Sequence, residues 1–196
     1  MSSIERFKER YRNGETPWDL GRPDFNLVEL LTRRPLQPCK TLEIGCGSGN
    51  DSIFLARHGF TLTGIDVSKI ALDRAEDKAA EAGVKPEFIQ LDFMSRDVPG
   101  GPFKFIYDRG CFHHTDDDGV RDNFAKKVAS YLEKDGLWLS LLGSTDGPDR
   151  ETGPPRRSLR QIAQAVEPYF EVLSIRASYF DSKSKPATWV CLMKRR

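Results

Sequence analysis

The chain has 196 residues, with 30 Lys+Arg against 29 Asp+Glu and a hydrophobic share of 38%. That length suffices for one domain with a full core, and a balance so near zero excludes a polycationic nucleic-acid protein or an acidic disordered tail. No apolar run approaches the roughly 20 residues of a membrane span. Residues 1–12 contain no apolar leader segment, and the four cysteines (Cys39, Cys46, Cys111 and Cys191) are scattered without a C-x-x-C pair. A cytoplasmic protein without membrane contact is therefore expected. The charge is unevenly spread: +2 over residues 1–40, −7 over 41–149 and +6 over 150–196.

In chain order, Ile4, Phe7 and Tyr11 predict a short amphipathic helix over 3–12. Residues 13–24 are rich in Gly, Pro and Asp and read as a loop, which holds Trp18. A helix is expected over 25–32, capped by Asp24. Strands and helices then alternate. Strands are expected at 40–44, 61–65, 87–91, 103–107 and 136–142. Helices are expected at 50–58, at 69–82 with Ser68 as N-cap and Gly83 as C-cap, and at 119–133. A Gly/Pro-rich loop runs over 143–157, a short helix over 158–166, and two last strands over 169–176 and 187–193. These two have only a polar linker between them, so they are expected to be antiparallel. The alternation predicts a Rossmann-like, doubly wound α/β fold. Its seven-stranded sheet would be mostly parallel, with one antiparallel strand from the C-terminal hairpin.

The sharpest motif is Leu42-Glu43-Ile44-Gly45-Cys46-Gly47-Ser48-Gly49-Asn50. It closes a strand and opens a helix, where glycines let the backbone turn tightly and approach a ligand, and free N–H groups face it. The next strand ends in Asp66, which can accept both hydroxyls of a ribose. A dinucleotide-binding G-x-G-x-x-G needs Gly where this chain has Asn50, which argues against an NAD dehydrogenase.

The pattern E-x-G-x-G-x-G resembles motif I of the class I S-adenosylmethionine-dependent methyltransferases. Gln90-Leu91-Asp92-Phe93 and Tyr107-Asp108-Arg109-Gly110-Cys111 end the third and fourth strands, where that family reads the adenine and faces the methyl-donor sulfur. Pro17-Trp18-Asp19-Leu20-Gly21-Arg22-Pro23, Asp108-Arg109-Gly110-Cys111-Phe112-His113 and Gly153-Pro154-Pro155 narrow the likeness. Together they resemble the thiopurine S-methyltransferase-like group, which includes thiol and halide methyltransferases.

The resemblance implies S-adenosyl-L-methionine as cofactor, held by Trp18, Glu43, Gly45, Cys46, Gly47, Asp66, Val67, Asp92, Phe93 and Asp108. It implies Asp108 and Arg109 as catalytic residues, with Trp18 on a lid loop that closes over the cofactor; His113 joins the catalytic candidates from its own place near the pocket. One methyltransferase domain is expected over 1–196, with N-terminal helices and the lid in 1–36 and the cofactor-binding sheet core in 37–196. Methyl transfer needs an acceptor held in line with the donor carbon, and a thiolate or halide would need no general base. The expected acceptor is a small-molecule nucleophile, most simply a thiol or other soft heteroatom. Oxygen or nitrogen of a small aromatic compound is the alternative, and RNA or protein ranks below it. No metal, nucleic-acid or membrane partner is expected, and the chain is expected to act as a monomer.

Other residues have plainer readings. His113 near the pocket either accepts a proton or is a polar shield, and His114 is read as a shield. His58 is read as a helix C-terminal cap. Asp116-Asp117-Asp118 caps the next helix, and Trp138 and Trp189 are core. Cys46 and Cys111 are read as small packing residues. Arg150, Arg156, Arg157 and Arg160 are read first as a solvated basic face and second as a lure for an anionic acceptor.

Overall fold

A computed structural model describes residues 3–34, 36–114, 118–148, 153–182 and 184–196. They form two compact units, residues 1–98 with 181–183, and residues 99–180 with 184–196.

The first unit holds α1 (Ser3–Asn13), α2 (Phe25–Arg33), β1 (Lys40–Ile44), α3 (Asn50–Arg57), β2 (Thr61–Asp66), α4 (Lys69–Glu81) and β3 (Glu87–Gln90). β1 is buried from Thr41 to Ile44, the continuous burial of a strand covered on both faces. It runs parallel to β2, Lys40 opposite Thr61, and β2 runs parallel to β3, Thr63 opposite Glu87. α4 starts at Ser68, whose Oγ accepts from Ala71 N–H at 3.3 Å, and buries Ala71, Ala75 and Ala79. These small side chains allow a close approach. A Cβ at Gly49 would stand 2.8 Å from the Cβ of Ala75. Asp24 caps α2 by accepting from Asn26 N–H at 2.9 Å.

The second unit holds β4 (Phe103–Arg109), a single 3-10 turn over Phe112–His114, α5 (Asp118–Tyr131), β5 (Leu132–Gly143), α6 (Leu159–Val166), β6 (Phe170–Tyr179) and β7 (Ala187–Arg195). β4 and β5 are parallel, and β7 runs antiparallel to both β5 and β6. Trp138 on β5 is fully buried, with ring centroids of Phe112, Phe170 and Phe124 at 5.0, 5.2 and 6.1 Å. α6 opens on a capping box in which the Ser158 side chain and Gln161 exchange hydrogen bonds.

The strand order is β3-β2-β1-β4-β5-β7-β6. This is the Rossmann-like, doubly wound sheet of seven strands, in which β7 is the reversed one.

Several boundaries differ from the sequence reading. β4 continues through Asp108 and Arg109, because Asp108 and Arg109 pair with Ser140 and Leu141 although both are charged. The helix expected over 119–133 ends at Tyr131. Leu132 is already paired with Phe103, and the register then jumps to Phe105 opposite Leu137 across a bulge in β5, where Asp135 has φ 60°. The last two strands each run further than the apolar runs suggested, to Tyr179 and Arg195. α4 ends at Glu81 with Ala82 as its C-cap, and Gly83 follows. Asp116 and Asp117 lie outside the described residues, and Asp118 begins α5, where it pairs with the buried Arg121. His58 does close α3, its Nδ1 standing 2.8 Å from Phe54 O. Among the described residues, no helix is long and apolar enough to cross a membrane.

Candidate active site

In the first unit, β1 ends at the glycine turn. Gly45, Gly47 and Gly49 have φ of 71°, 54° and 77°, the left-handed region that only glycine enters freely. The N–H groups of Gly45 and Cys46 donate to Ile65 O at 2.8 and 3.0 Å, tying the turn to the end of β2. Asp66 lies beneath it. Its Oδ2 accepts from Gly47 N–H at 2.9 Å and its Oδ1 from Ser68 N–H at 2.8 Å. Burial of the carboxyl raises its pKa above the usual carboxylate range, and the Ser68 and Gly47 N–H groups hold the rise back. Glu43 is buried and accepts the Ser52 hydroxyl, joining β1 to α3. Gly49 stands at the N-cap of α3 and has no side chain to close its first turn. Cys46 is buried, its Sγ 3.0 Å from where a Cβ on Gly64 would stand, so it packs as expected.

Val67 O accepts from Gln90 Nε2 at 3.1 Å, and Asp92 Oδ1 accepts from Met94 N–H at 3.0 Å, with Phe93 buried beside it. The ends of β2 and β3 are therefore stiffened by their own polar groups. Asp66 and Gln90 are opposite one another in the ladder.

Trp18 is half-buried against α1. Its Nε1 donates to Tyr11 Oη at 3.1 Å, its ring lies edge-on to Phe7 and Tyr11, and the Arg10 guanidinium sits 4.4 Å from its centroid. The cation over this indole in the structure is thus Arg10. Tyr11 is 4% exposed, and its Oη would stand 2.6 Å from a Cβ on Gly47. It accepts from Trp18, and among the described residues nothing takes the proton of its hydroxyl. Burial first, and the Asp66 charge next, push its pKa far up, so the hydroxyl stays protonated.

The loop that carries Trp18 is latched to the glycine turn. Asp19 accepts from Ser48 Oγ and Asn50 Nδ2, both at 2.7 Å, and Lys78 Nζ donates to Ser48 Oγ at 2.7 Å and Asn50 Oδ1 at 3.0 Å. Asp24 N–H donates to Asp51 Oδ1 at 2.7 Å, and Arg22 pairs with Asp181 at 2.9 Å. Desolvation works against the Asp19 carboxylate, but its hydrogen bonds to Ser48 and Asn50 and the Lys78 charge hold its pKa below the usual value.

In the second unit, the C-terminal end of β4 carries Asp108, which is completely buried. Its Oδ1 accepts from Cys111 and Phe112 N–H at 3.1 Å each, and its Oδ2 from Trp138 Nε1 at 2.9 Å. Burial pushes its pKa up to about 6 against these donors. The carboxylate thus fixes the turn that leads to His113. His113 is 2% exposed, and its Nδ1 accepts from Gly143 N–H at 3.0 Å. Its ring stands edge-on to Phe180 at 5.7 Å, and the Arg109 guanidinium lies 5.3 Å from the same Phe180 ring. Cys111 is half-buried, and His114 stacks edge-on to His113.

The basic C-terminal cluster differs from the solvated face read from the sequence. Arg157 is buried, with Nη2 donating to His113 O at 2.6 Å and Nη1 to Arg156 O at 2.8 Å. Arg156 donates to Ser144 O at 2.9 Å and to Thr145 O. Both hold loop carbonyls that helices and strands leave unsatisfied. Arg160 is exposed, and Arg150 lies outside the described residues.

The first unit therefore gathers Trp18, Glu43, Gly45, Cys46, Gly47, Asp66, Val67, Asp92 and Phe93, and the second gathers Asp108, Arg109 and His113. Sequence reasoning passed over Tyr11, Asp19, Phe180 and the hydrogen bond of Trp138. An aromatic seven residues before Trp18 and an acid beside it were the available signals for the first two. Phe180 had none, since it is brought to Arg109 and His113 only by the pairing of β6.

A family profile described as a methyltransferase domain matches residues 41–136. The chain is 29% identical over 175 residues to a probable thiol methyltransferase 2 of Arabidopsis thaliana, covering 86% of this chain and 75% of that protein. It is 30% identical over 158 residues to a 2-heptyl-1-hydroxyquinolin-4(1H)-one methyltransferase of Mycobacteroides abscessus, covering 80% of this chain and 69% of the relative. Its fold matches that of magnesium protoporphyrin IX methyltransferase from Synechocystis PCC 6803, solved with bound S-adenosylmethionine, with a TM-score of 0.77, 15% identity and coverage of 100% and 98%.

Proposed function

This chain belongs to the S-adenosylmethionine-dependent methyltransferases, and from that premise we propose that it methylates a small-molecule thiol. The likeness over 86% of the chain to a protein named as a thiol methyltransferase carries the reading. The relative named for a hydroxyquinolinone supports oxygen as the second choice of acceptor atom.

The cradle of the first unit suits the cofactor. A left-handed glycine turn, an uncapped helix start, a carboxylate beneath it and a buried hydroxyl with a proton to donate match a ligand that carries an amino acid and a ribose. The cofactor supplies a methyl group on a positively charged sulfur. Gly45, Cys46 and Gly47 would line its amino-acid arm, Asp66 would accept the ribose hydroxyls, and Val67, Asp92 and Phe93 would border the adenine. Tyr11 would donate to the arm from above Gly47. Trp18 would shield the donor sulfur from water, its ring being able to hold a cation as it holds Arg10.

The end of β4 would carry the acceptor, with Arg109 and the Phe180 ring beside it and Asp108 fixing the turn from below. The cationic groups there, Arg109 and Arg157, favour an acceptor with negative charge. Four free cysteines suit a reducing, cytoplasmic setting. Calorimetric titration with S-adenosylmethionine, followed by an S-adenosylhomocysteine release screen over thiols, phenols and heteroaromatic amines, tests the reading. Binding with thiols turned over at least tenfold faster than the others is expected. Turnover of phenols alone would move the assignment to oxygen.

A further inference from the structure

Two cations on α4, Arg74 and Lys78, stand one helical turn apart, so their side chains share a face. Arg74 Nη2 donates to Tyr11 O at 3.3 Å. Lys78 Nζ donates to Ser48 Oγ at 2.7 Å and to Asn50 Oδ1 at 3.0 Å, and both of those side chains donate on to Asp19, each at 2.7 Å. An ammonium can only donate and a carboxylate only accept, so the Ser48 hydroxyl and the Asn50 amide each point one way. The four bonds close a ring from Lys78 to Asp19 through the residues on either side of Gly49. The direct distance from Lys78 Nζ to Asp19 Oδ1 is 3.7 Å, beyond a hydrogen bond, so the two charges are joined through neutral relays. Ala75, between the two cations in sequence, has its Cβ 2.8 Å from where a Cβ on Gly49 would stand, so α4 lies directly against the turn that Lys78 serves.

Trp18 lies between these two holds. Tyr11 Oη receives its indole N–H at 3.1 Å, and Asp19 follows it in sequence. We propose that Lys78 is a positioning residue, which through Ser48, Asn50 and Asp19 keeps Trp18 beside the glycine turn and so raises the affinity for the cofactor. This rests on the reading that the turn holds S-adenosylmethionine. Asn50 gains a purpose by it. A glycine at that place, as in a dinucleotide-binding turn, could not relay the Lys78 charge to the loop. Without the ammonium, Ser48 and Asn50 lose the donor that orients them, and the half-buried Asp19 carboxylate loses its counter-charge. A charge left in that state is better solvated outside, which favours release of the loop. The ring acts as a unit, so removing either charge opens the same ring.

The test is titration with S-adenosylmethionine, together with acrylamide quenching of tryptophan fluorescence, in wild type, Lys78→Met, Asp19→Asn and the double variant. All are compared at a temperature where they are folded. Trp138 and Trp189 are 0% and 6% exposed, so quenching reads Trp18, and Trp18→Phe gives the baseline. Lys78→Met is expected to raise the cofactor Kd about tenfold and to make Trp18 measurably more accessible to acrylamide. The double variant is expected to bind the cofactor no more weakly than the weaker single one, because both changes open one ring. A lysine that merely stabilised α4 would lower the melting temperature and leave both readings of the folded protein unmoved. A Kd for Lys78→Met within about twofold of wild type, or additive losses in the double variant, would overturn the proposal. If Lys78→Met does not fold, Asp19→Asn, which keeps the size of its side chain, carries the same expectation by itself. Absence of cofactor binding by the wild type would instead overturn the reading of the glycine turn, and this proposal with it.

Discussion

Gly47 has two reasons to lack a side chain. Its φ of 54° is one, and costs an L-residue roughly 1–2 kcal/mol. The other is the Tyr11 hydroxyl, 2.6 Å from where the Cβ would stand. The two can be separated. Gly47→Ala alone is expected to weaken S-adenosylmethionine binding by about tenfold or more, because both the turn and the tyrosine must shift. In a Tyr11→Phe background the same substitution is expected to cost measurably less, since the clashing oxygen is gone. Titration of the four proteins gives the coupling, and additive losses would mean that the hydroxyl does not press on the turn. The sequence made the glycines legible through their spacing. It could not reveal Tyr11 as their neighbour, because that contact joins α1 to the turn across more than thirty residues of chain.

At the level of elements, the loop that carries Trp18 is held by charge and hydrogen bonds more than by apolar packing. Asp19 accepts from one side chain on each side of Gly49, which fastens the loop both to the turn and to the first residue of α3. Asp19→Ala is expected to cost about 1 kcal/mol of stability, discounted for the partial exposure of the pair with Lys78. It is also expected to speed limited proteolysis within residues 13–24, which peptide mapping reads directly. Because its folded pKa is lowered, the Asp19 contribution is present at neutral pH and is lost as the pH falls below its unfolded value of 3.8. Elements with strong local signals were read correctly. The alternation of apolar and polar runs located all seven strands, and Ser68 and Asp24 cap their helices as expected. The signals failed where pairing partners overrule local character. Leu132 becomes strand through Phe103, and the charged pair Asp108-Arg109 becomes strand through Ser140 and Leu141. Arg157 reads as surface by composition, yet it is buried and donates to the carbonyls of Arg156 and His113, which lie far apart in the chain.

For the molecule as a whole, formal charge by compact unit comes to −2 and +3, a milder contrast than the sequence segments suggested. The larger electrostatic cost is a single buried group. Asp108 rises from 3.8 to about 6 on folding, which corresponds to roughly 3 kcal/mol that the ionised form loses. The folded chain binds this proton more tightly than the unfolded chain, so its stability falls as the pH rises from about 4 to 6. Asp108→Asn has no such proton. The stability of wild type minus that of the variant is therefore expected to drop by a few kcal/mol over that range and to level off above it. Parallel urea titrations at pH 4, 5, 6 and 7 measure the difference, and a flat result would mean that the carboxylate is ionised at no cost.

Asp181 lies between two strands of the second unit, yet it groups with the first and pairs with Arg22. One cut of the chain after Val98 therefore does not yield two complete halves. A 1–98 fragment would lack a partner for the Trp18 loop, and a reporter inserted near Asp181 would disturb that loop from a site more than 150 residues away in sequence. Split-protein and circularly permuted versions should keep Asp181 joined to β6 and β7 and take their new ends elsewhere.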